Sequence, residues 1–209
     1  MKKVRIQFSK SGPLCYIGHL DFLKVFQQTI RRAGVDIAYS QGFNPHMQLS
    51  FALPLPLGMN SKNDYADIVM DAEFNEADMV SRLNASAPDG LVVHTAWEFL
   101  GQGAAALAFL ADYHLNADVD ECVIDSVLGK DSIIIPKKTK SGVKDTDIRP
   151  DIINIVKHAD GGVAMRLAAG SSRFINPVTV AGLLLGREAD TSALTRVELF
   201  DQNAAPLSS

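Results

Sequence analysis

The chain has 209 residues, of which 47% are hydrophobic and 21% charged, and its formal net charge is −4. This composition is typical of a globular protein with an ordinary core, and the negative charge argues against a uniformly basic nucleic-acid-binding protein. Its two cysteines, Cys15 and Cys122, are far apart in sequence. Their spacing argues against a disulfide framework, a cysteine zinc site and an iron–sulfur cluster.

The first residues predict a strand rather than a targeting segment. Apolar residues alternate with polar ones over 4–9, which is typical of a strand with one buried face. A signal peptide would need a continuous apolar stretch, and a membrane helix needs roughly 20 apolar residues. We therefore expect a cytoplasmic protein with no membrane contact.

The rest of the first half is predicted to continue as helix, strand, strand, helix and strand. Residues 19–33 place apolar side chains at helical spacing, and Gly34 is well placed to end that helix. A short strand is expected near 35–39, and Ala66, Ile68 and Met70 alternate with polar residues as in another strand. The second helix should begin at Asn75 and end before Pro88, and the fourth strand lies in GLVVHTAWEF.

The second half repeats this order of elements. A strand is predicted by alternation over 109–116, and a helix over 119–128 follows a capping box that begins at Asp118. Further along, SIIIPKK predicts a short strand and IINIVKHADGGVAMRLAAG a hairpin that turns at 160–162. Asn176 and Gly186 mark the two ends of the last helix, and LTRVELF is the last strand.

Each half therefore has the order βαββαβ, which is the ferredoxin-like pattern. The predicted fold is α+β, with two tandem ferredoxin-like halves and antiparallel sheets. The first half spans 1–101 and the second 102–200, because LGQGAAA between them is rich in glycine and alanine. Residues 201–209 are expected to form a disordered tail.

The segment YSQGFNPHMQLSFALPLPLG, residues 39–58, is too broken for a helix and too apolar for an ordinary exposed loop. Pro54 and Pro56 donate no backbone hydrogen bond, so the structural interpretation is a stiff segment packed across its domain or against the second half. The functional interpretation concerns Gln41, Asn44 and His46. These offer hydrogen-bonding groups on a loop held in shape by a glycine and a proline, as binding loops often are.

The motif GHLD, residues 18–21, opens the first helix. His19 is expected to cap the helix, and Asp21 suits the helix dipole. An alternative pairs His19 with His46 as acid and base, with Asp21 orienting one imidazole. A metal site is not expected, because residues two apart on a helix point to different faces. No cofactor is expected either, since the common nucleotide-binding and hydrolase signatures are absent from the sequence.

Basic residues are concentrated in a predicted loop at 136–150. Such charge runs are usually solvated, but they also suit contacts with a phosphate backbone. The basic residues of the window are Lys137, Lys138, Lys140, Lys144 and Arg149. If Arg31, Arg32 and the basic start of the chain converge with this loop, an acidic protein would have one basic face.

Several motifs together resemble a known family. The stretch runs FSKSG, HLD, RRAG, YSQGFNPH and PLPLG over residues 8–58, with DIRP at 147–150. In this order they resemble the radical SAM-associated family of unknown function, in its stand-alone form. The resemblance implies a radical SAM protein as partner, and a role around RNA or translation.

The leading hypothesis is an accessory binding protein rather than an enzyme acting on its own. In it, Lys10, Arg31, Arg32 and Arg149 contact RNA phosphates, and the three loop residues Gln41, Asn44 and His46 bind the ligand. One alternative is an enzyme that processes RNA or a small substrate with His19 and His46. The other is a scaffold in which residues 53–57 dock the radical SAM partner.

Overall fold

The computed structural model describes residues 1–139, 142–159, 161–171 and 173–208, with the backbone alone at 138 and 139. Over this part of the chain the fold is α+β, with five α-helices, a mostly antiparallel sheet of eight strands and a separate two-stranded hairpin. The helices are α1 His19–Arg32, α2 Glu76–Ser86, α3 Ala104–Leu107, α4 Glu121–Leu128 and α5 Pro177–Leu185. The strands are β1 Lys2–Lys10, β2 Leu49–Phe51, β3 Asn60–Met70, β4 Leu91–Glu98, β5 Leu110–Leu115, β6 Ile134–Thr139, β7 Gly142–Asp147, β8 Ile152–Lys157, β9 Val163–Ala168 and β10 Leu194–Phe200.

The main sheet runs β4-β1-β3-β10-β5-β9-β8, and β2 pairs with β3 beside that path. Strands β2 and β10 share one edge of β3. Strand β2 lies antiparallel along 66–68, whereas β10 lies parallel at 60–61. The short parallel contact joins the strands of the first half to those of the second, so the two halves form one continuous sheet.

Two of the predicted helix starts are confirmed by their caps. The side chain of Asn75 accepts a hydrogen bond from the amide of Asp78 at 3.0 Å, and that of Asn176 accepts one from Val178 at 3.0 Å. Helix α5 also ends as predicted at Gly186, which has a left-handed backbone with φ of 63°. Helix α4 begins two residues later than expected, because Asp120 rather than Asp118 occupies the N-cap position.

The predicted strand at 35–39 was wrong. Those residues form only isolated bridges, from Ile37 to Met70 and from Tyr39 to Met47. The second strand of the first half is instead β2, inside the proline-rich segment. There Phe51 packs against the rings of Phe8, Phe22 and Phe26 beneath α1, with centroids 5.3–5.7 Å apart. This aromatic burial favours pairing at 49–51.

The basic window at 136–150 was expected to be a loop, and most of it lies in the hairpin β6–β7. Apolar residues on either side of the hairpin anchor it, since Ile133 and Ile148 are buried in the core of the second half. Lys140 and Ser141 lie outside the described residues, as does Asp160 of the hairpin turn predicted at 160–162.

An ion pair buried between β10 and β3 also holds the proline-rich segment. Arg196 has 0% exposure, and its Nε donates to Oδ1 of Asp64 at 2.9 Å. The same guanidinium donates to the carbonyl oxygens of Leu53 at 3.0 Å and Pro54 at 3.2 Å. Leu53 and Leu55 pack against the core of the second half. The structural interpretation of this segment is therefore confirmed, and in 53–57 only Pro54 and Leu57 remain exposed.

The end of the chain is packed against the sheet, whereas the sequence predicted a disordered tail over 201–209. The side chain of Leu207 is 2% exposed and belongs to the core of the second half. Its amide donates to the carbonyl of Leu199 at 3.1 Å, and its own carbonyl accepts from Nη1 of Arg5 at 3.3 Å. A buried leucine and a buried arginine partner are the physical reasons for order here. None of the described helices is long and apolar enough to cross a membrane.

Replacing Arg196 with methionine should lower the free energy of unfolding by about 3–5 kcal/mol, because Asp64 would stay buried without its partner. The double variant Arg196→Met/Asp64→Leu should recover much of this loss. Urea unfolding followed by the fluorescence of Trp97 measures both. A double variant no more stable than the single one would contradict this account.

Leu207→Ala should lower the free energy of unfolding by about 2 kcal/mol or more, since a buried leucine loses its packing. The exposed Leu100→Ala is the control and should change it little. If the two variants have equal urea midpoints, the tail does not pack as described.

Candidate functional site

A cleft opens beside β2 in the first half. Its volume is about 390 Å³, within the usual range for ligand pockets. Its wall combines backbone and side chains from the start of β1, from β2 and β3 and from the segment after β4. The polar and aromatic residues that line it are Lys3, Ser40, His46, Gln48, Ser50, Asp67 and Phe99.

The loop 40–46 borders this cleft, and two hydrogen bonds join its first and last residues. The amide of Ser40 donates to the carbonyl of His46 at 2.8 Å, and the amide of His46 donates to Oγ of Ser40 at 3.0 Å. Gly42 has a φ of 128°, which only glycine adopts readily, so the chain can reverse there. The loop is therefore a compact projection with a defined base.

The tip of the loop presents side chains that have no structural partner. Phe43 is the most exposed of the large apolar residues described, at 106% of its reference area. Across the described chain, the side chains of Gln41, Asn44 and His46 form no hydrogen bond, and all three are exposed. The sequence prediction identified these three but missed Phe43. An aromatic residue between the turn formers Gly42 and Asn44 was the available signal.

The two histidines proposed as an acid–base pair lie in different cavities. His46 lines the cleft, whereas His19 lines a small pocket under α1 with Lys10, and its ring meets that of Phe51 edge-on at 5.6 Å. Leu49 and Ser50 line the cleft, whereas Phe51, the next residue of β2, lines the pocket. Strand β2 therefore separates the imidazoles, and the structure does not bring them to one substrate.

Asp21 does not orient either imidazole. Its Oδ1 lies 3.0 Å from Nζ of Lys24, one helical turn along α1, and both side chains are well exposed. Within the described residues no group of three or more histidine, cysteine or acidic side chains has the arrangement of a metal site.

Lys10 is buried, although it was expected to reach a phosphate from the surface. It is 3% exposed, and its Nζ lies 4.5 Å from the ring centroid of Phe22. Its Nζ also lies 3.5 Å from the carbonyl oxygen of Ile17, which is longer than an ordinary N–H···O bond. Burial lowers the pKa of Lys10, the nearby Cys15 and Asp64 act in the opposite direction, and the positive charge of Arg196 lowers it further.

Residues 3–177 match the model of a family described as an uncharacterized protein conserved in bacteria (DUF2344). The chain belongs to this family. All the residues that line the cleft and the pocket under α1 lie inside the matched range. A search of curated proteins found no match to this DUF2344 chain.

The guanidinium of Arg149 in the DUF2344 chain forms hydrogen bonds with backbone carbonyls of the protein itself. Its guanidinium donates to the carbonyl oxygens of Leu128 at 2.7 Å, Lys130 at 3.1 Å and Ile152 at 2.9 Å. These carbonyls include ones at the end of α4 that have no partner within the helix. Arg149 therefore closes a helix end, and its donors are not directed toward a phosphate in solution.

The remaining basic residues belong to different halves of the DUF2344 protein. Arg31 and Arg32 are exposed at the end of α1, as the sequence predicts. Lys144 is exposed on the hairpin, and Lys137 donates to the carbonyl of Phe174 at 3.4 Å. Of these four residues, the two arginines lie in the half that carries the cleft and the two lysines in the other half.

Replacing Lys10 with methionine should stabilise the DUF2344 protein near neutral pH, because a buried ammonium without a carboxylate partner is unfavourable. The pKa of Lys10 is lowered in the folded state, so the wild type gains stability as the pH rises toward the ordinary lysine value of 10.5. The advantage of the variant should therefore shrink on going from about pH 7 to about pH 10.

Urea midpoints of wild type and Lys10→Met across this range measure the effect. The exposed Lys130→Met is the matched control, and its difference from wild type should stay flat with pH. A Lys10→Met advantage that grows with pH would contradict the assignment.

Proposed function

We propose that this protein is an accessory binding protein that recognises single-stranded RNA through the loop 40–46 and the cleft beneath it. The observation that carries the proposal is the fully exposed ring of Phe43 on a loop with a closed base. An apolar ring held in water on a defined loop has no packing role among the residues that the structure describes. Base stacking on such a ring contributes about 1–3 kcal/mol per base.

The groups around Phe43 supply what base recognition needs besides stacking. The amides of Gln41 and Asn44 and the imidazole of His46 are exposed and unpaired in the described structure. Amide and imidazole groups can donate to and accept from the edges of unpaired bases. A cleft of about 390 Å³ next to them has room for a base or a nucleotide.

Charge favours a local rather than a general contact with nucleic acid. The whole chain carries −4, so phosphates would be repelled from most of its surface. Lys3 lines the cleft, and Arg31 and Arg32 are exposed on the same half. These three cations are the phosphate contacts in this proposal, and Lys10 and Arg149 are not.

The proposal includes a radical SAM enzyme as the working partner, in the cytoplasm. What supports this is the motif resemblance over residues 8–58.

The proposal also includes an evolutionary origin of the chain from two tandem ferredoxin-like halves. In support of that, β4-β1-β3-β2 and β10-β5-β9-β8 have the same relative order within their halves.

The test measures anisotropy of a fluorescein-labelled single-stranded RNA of mixed sequence. Phe43→Ala should weaken binding by about tenfold, because one stacked base is lost, whereas Phe43→Trp should retain it. Binding should also weaken steeply with salt, as bound counterions are released from the phosphates. Ile153→Ala, an exposed apolar residue on β8, is the matched control.

Equal affinity of Phe43→Ala and wild type, or affinity that does not depend on salt, would refute RNA recognition by this loop. An absence of binding to any single-stranded RNA would refute it as well.

A further inference from the structure

The N-terminus of α1 has no cap. Gly18 occupies the N-cap position and has no side chain to accept from the first amides of this 14-residue helix. Among the described residues, no acceptor is found for the amides of His19, Leu20 and Asp21. The carboxylate of Asp21 forms an ion pair with the ammonium of Lys24. This end of α1 therefore keeps three free donors and the positive end of the helix dipole.

Lys10 adds a buried cation at the same point. The carbonyl that its Nζ approaches at 3.5 Å belongs to Ile17, the residue before Gly18. Lys10 and His19 also line one pocket. The ammonium of Lys10 and the imidazole of His19 therefore lie near the start of α1, in a pocket that the carboxylate of Asp64 also lines.

This location has more positive charge than the protein neutralises. The carboxylate of Asp64, which lines the same pocket, is already bound by the guanidinium of Arg196. The buried set thus holds two cations, Lys10 and Arg196, against one carboxylate. A lysine this deeply buried is rare without a paired anion, because desolvating an ammonium is costly. An anionic group from outside the chain would complete the balance.

We propose that the N-terminus of α1, with Lys10 and His19, is a binding site for a phosphate group. Helix N-termini bind phosphate through backbone amides and the dipole, and an adjacent ammonium strengthens the contact. Phosphate suits this site better than carboxylate does, because three kinds of donor surround it and phosphate offers more oxygens to accept from them.

The size of the pocket places the phosphate at its mouth. The internal space is about 10 Å³, close to the least that one water molecule needs. His19 and Leu20 at the rim are exposed. The phosphate group therefore lies at the helix end, Lys10 reaches it from behind, and the rest of its molecule stays in solvent.

This site does not depend on the proposed RNA contact, because strand β2 separates it from the loop 40–46. The phosphate is either free orthophosphate or the end of a larger molecule such as a 5′-phosphorylated RNA. Both sources present the same oxyanion chemistry to the helix.

The experiment titrates orthophosphate into the ¹⁵N-labelled protein at constant ionic strength, with chloride as the reference anion. The amide signals of His19, Leu20 and Asp21 should shift together, and the shifts give a Kd. Lys10→Met should raise that Kd by about tenfold or more, since the buried ammonium is lost. His19→Ala should raise it by a smaller factor.

The exposed Lys130→Met is the matched control and should leave the Kd unchanged, as should Phe43→Ala. Phe43→Ala also separates the two proposals, because loss of RNA binding with intact phosphate binding affects only the first. Unshifted amides at 19–21 in the wild type would overturn the phosphate site. So would equal Kd values for wild type and Lys10→Met, or an equal response to acetate.

A second arm identifies the source of the phosphate by competition. A 5′-phosphorylated RNA that displaces orthophosphate, when its 5′-hydroxyl form does not, assigns the site to an RNA end. Displacement by neither form supports a free phosphate or another phosphate ester at the same amides.

Discussion

The contact between Arg196 and Asp64 is the constraint on which the arrangement of the first half depends. Strand β10 meets β3 over only two residue pairs, so the ladder itself gives the junction few hydrogen bonds. The buried guanidinium adds ion-pair contacts across that junction and binds two carbonyls of the proline-rich segment. Prolines leave carbonyls without a ladder partner, and a buried arginine can satisfy several at once. The side chain of Arg196 thereby fixes the path of residues 53–54, which follow shortly after the end of β2.

The two cavities beside β2 follow from this path. Because the segment after Phe51 is held against the second half, β2 remains a short edge strand with one cavity on each face. The cleft on one face is roomy and rimmed by unpaired polar groups, whereas the pocket on the other is nearly closed around Lys10. A binding role suits this arrangement better than acid–base catalysis, because the two imidazoles approach different spaces.

Local signals in the sequence were enough to predict α2 and α5, whose asparagine caps act within one turn of chain. Signals that depend on distant partners were not. Residues 35–39 alternate like a strand, but Phe51 finds an aromatic cluster under α1 and takes the edge of β3 instead. The sequence predicts that Lys10 and Arg149 are surface cations. Their neighbours along the chain indicate neither their burial nor their carbonyl partners. The loop 40–46 was identified from its turn residues, yet the exposure of Phe43 emerges only from the fold around it.

The contact between Arg5 and the carbonyl of Leu207 spans 202 positions of the sequence. Arg5 lies in the first strand, and its other buried partner, Asp67, belongs to the first half as well. The full set of contacts around Arg5 therefore forms only after residue 207 has been synthesised, whereas its ion pair with Asp67 lies within the first half. Long-range pairings of this kind slow folding, because the closing of large loops precedes the contacts that reward it.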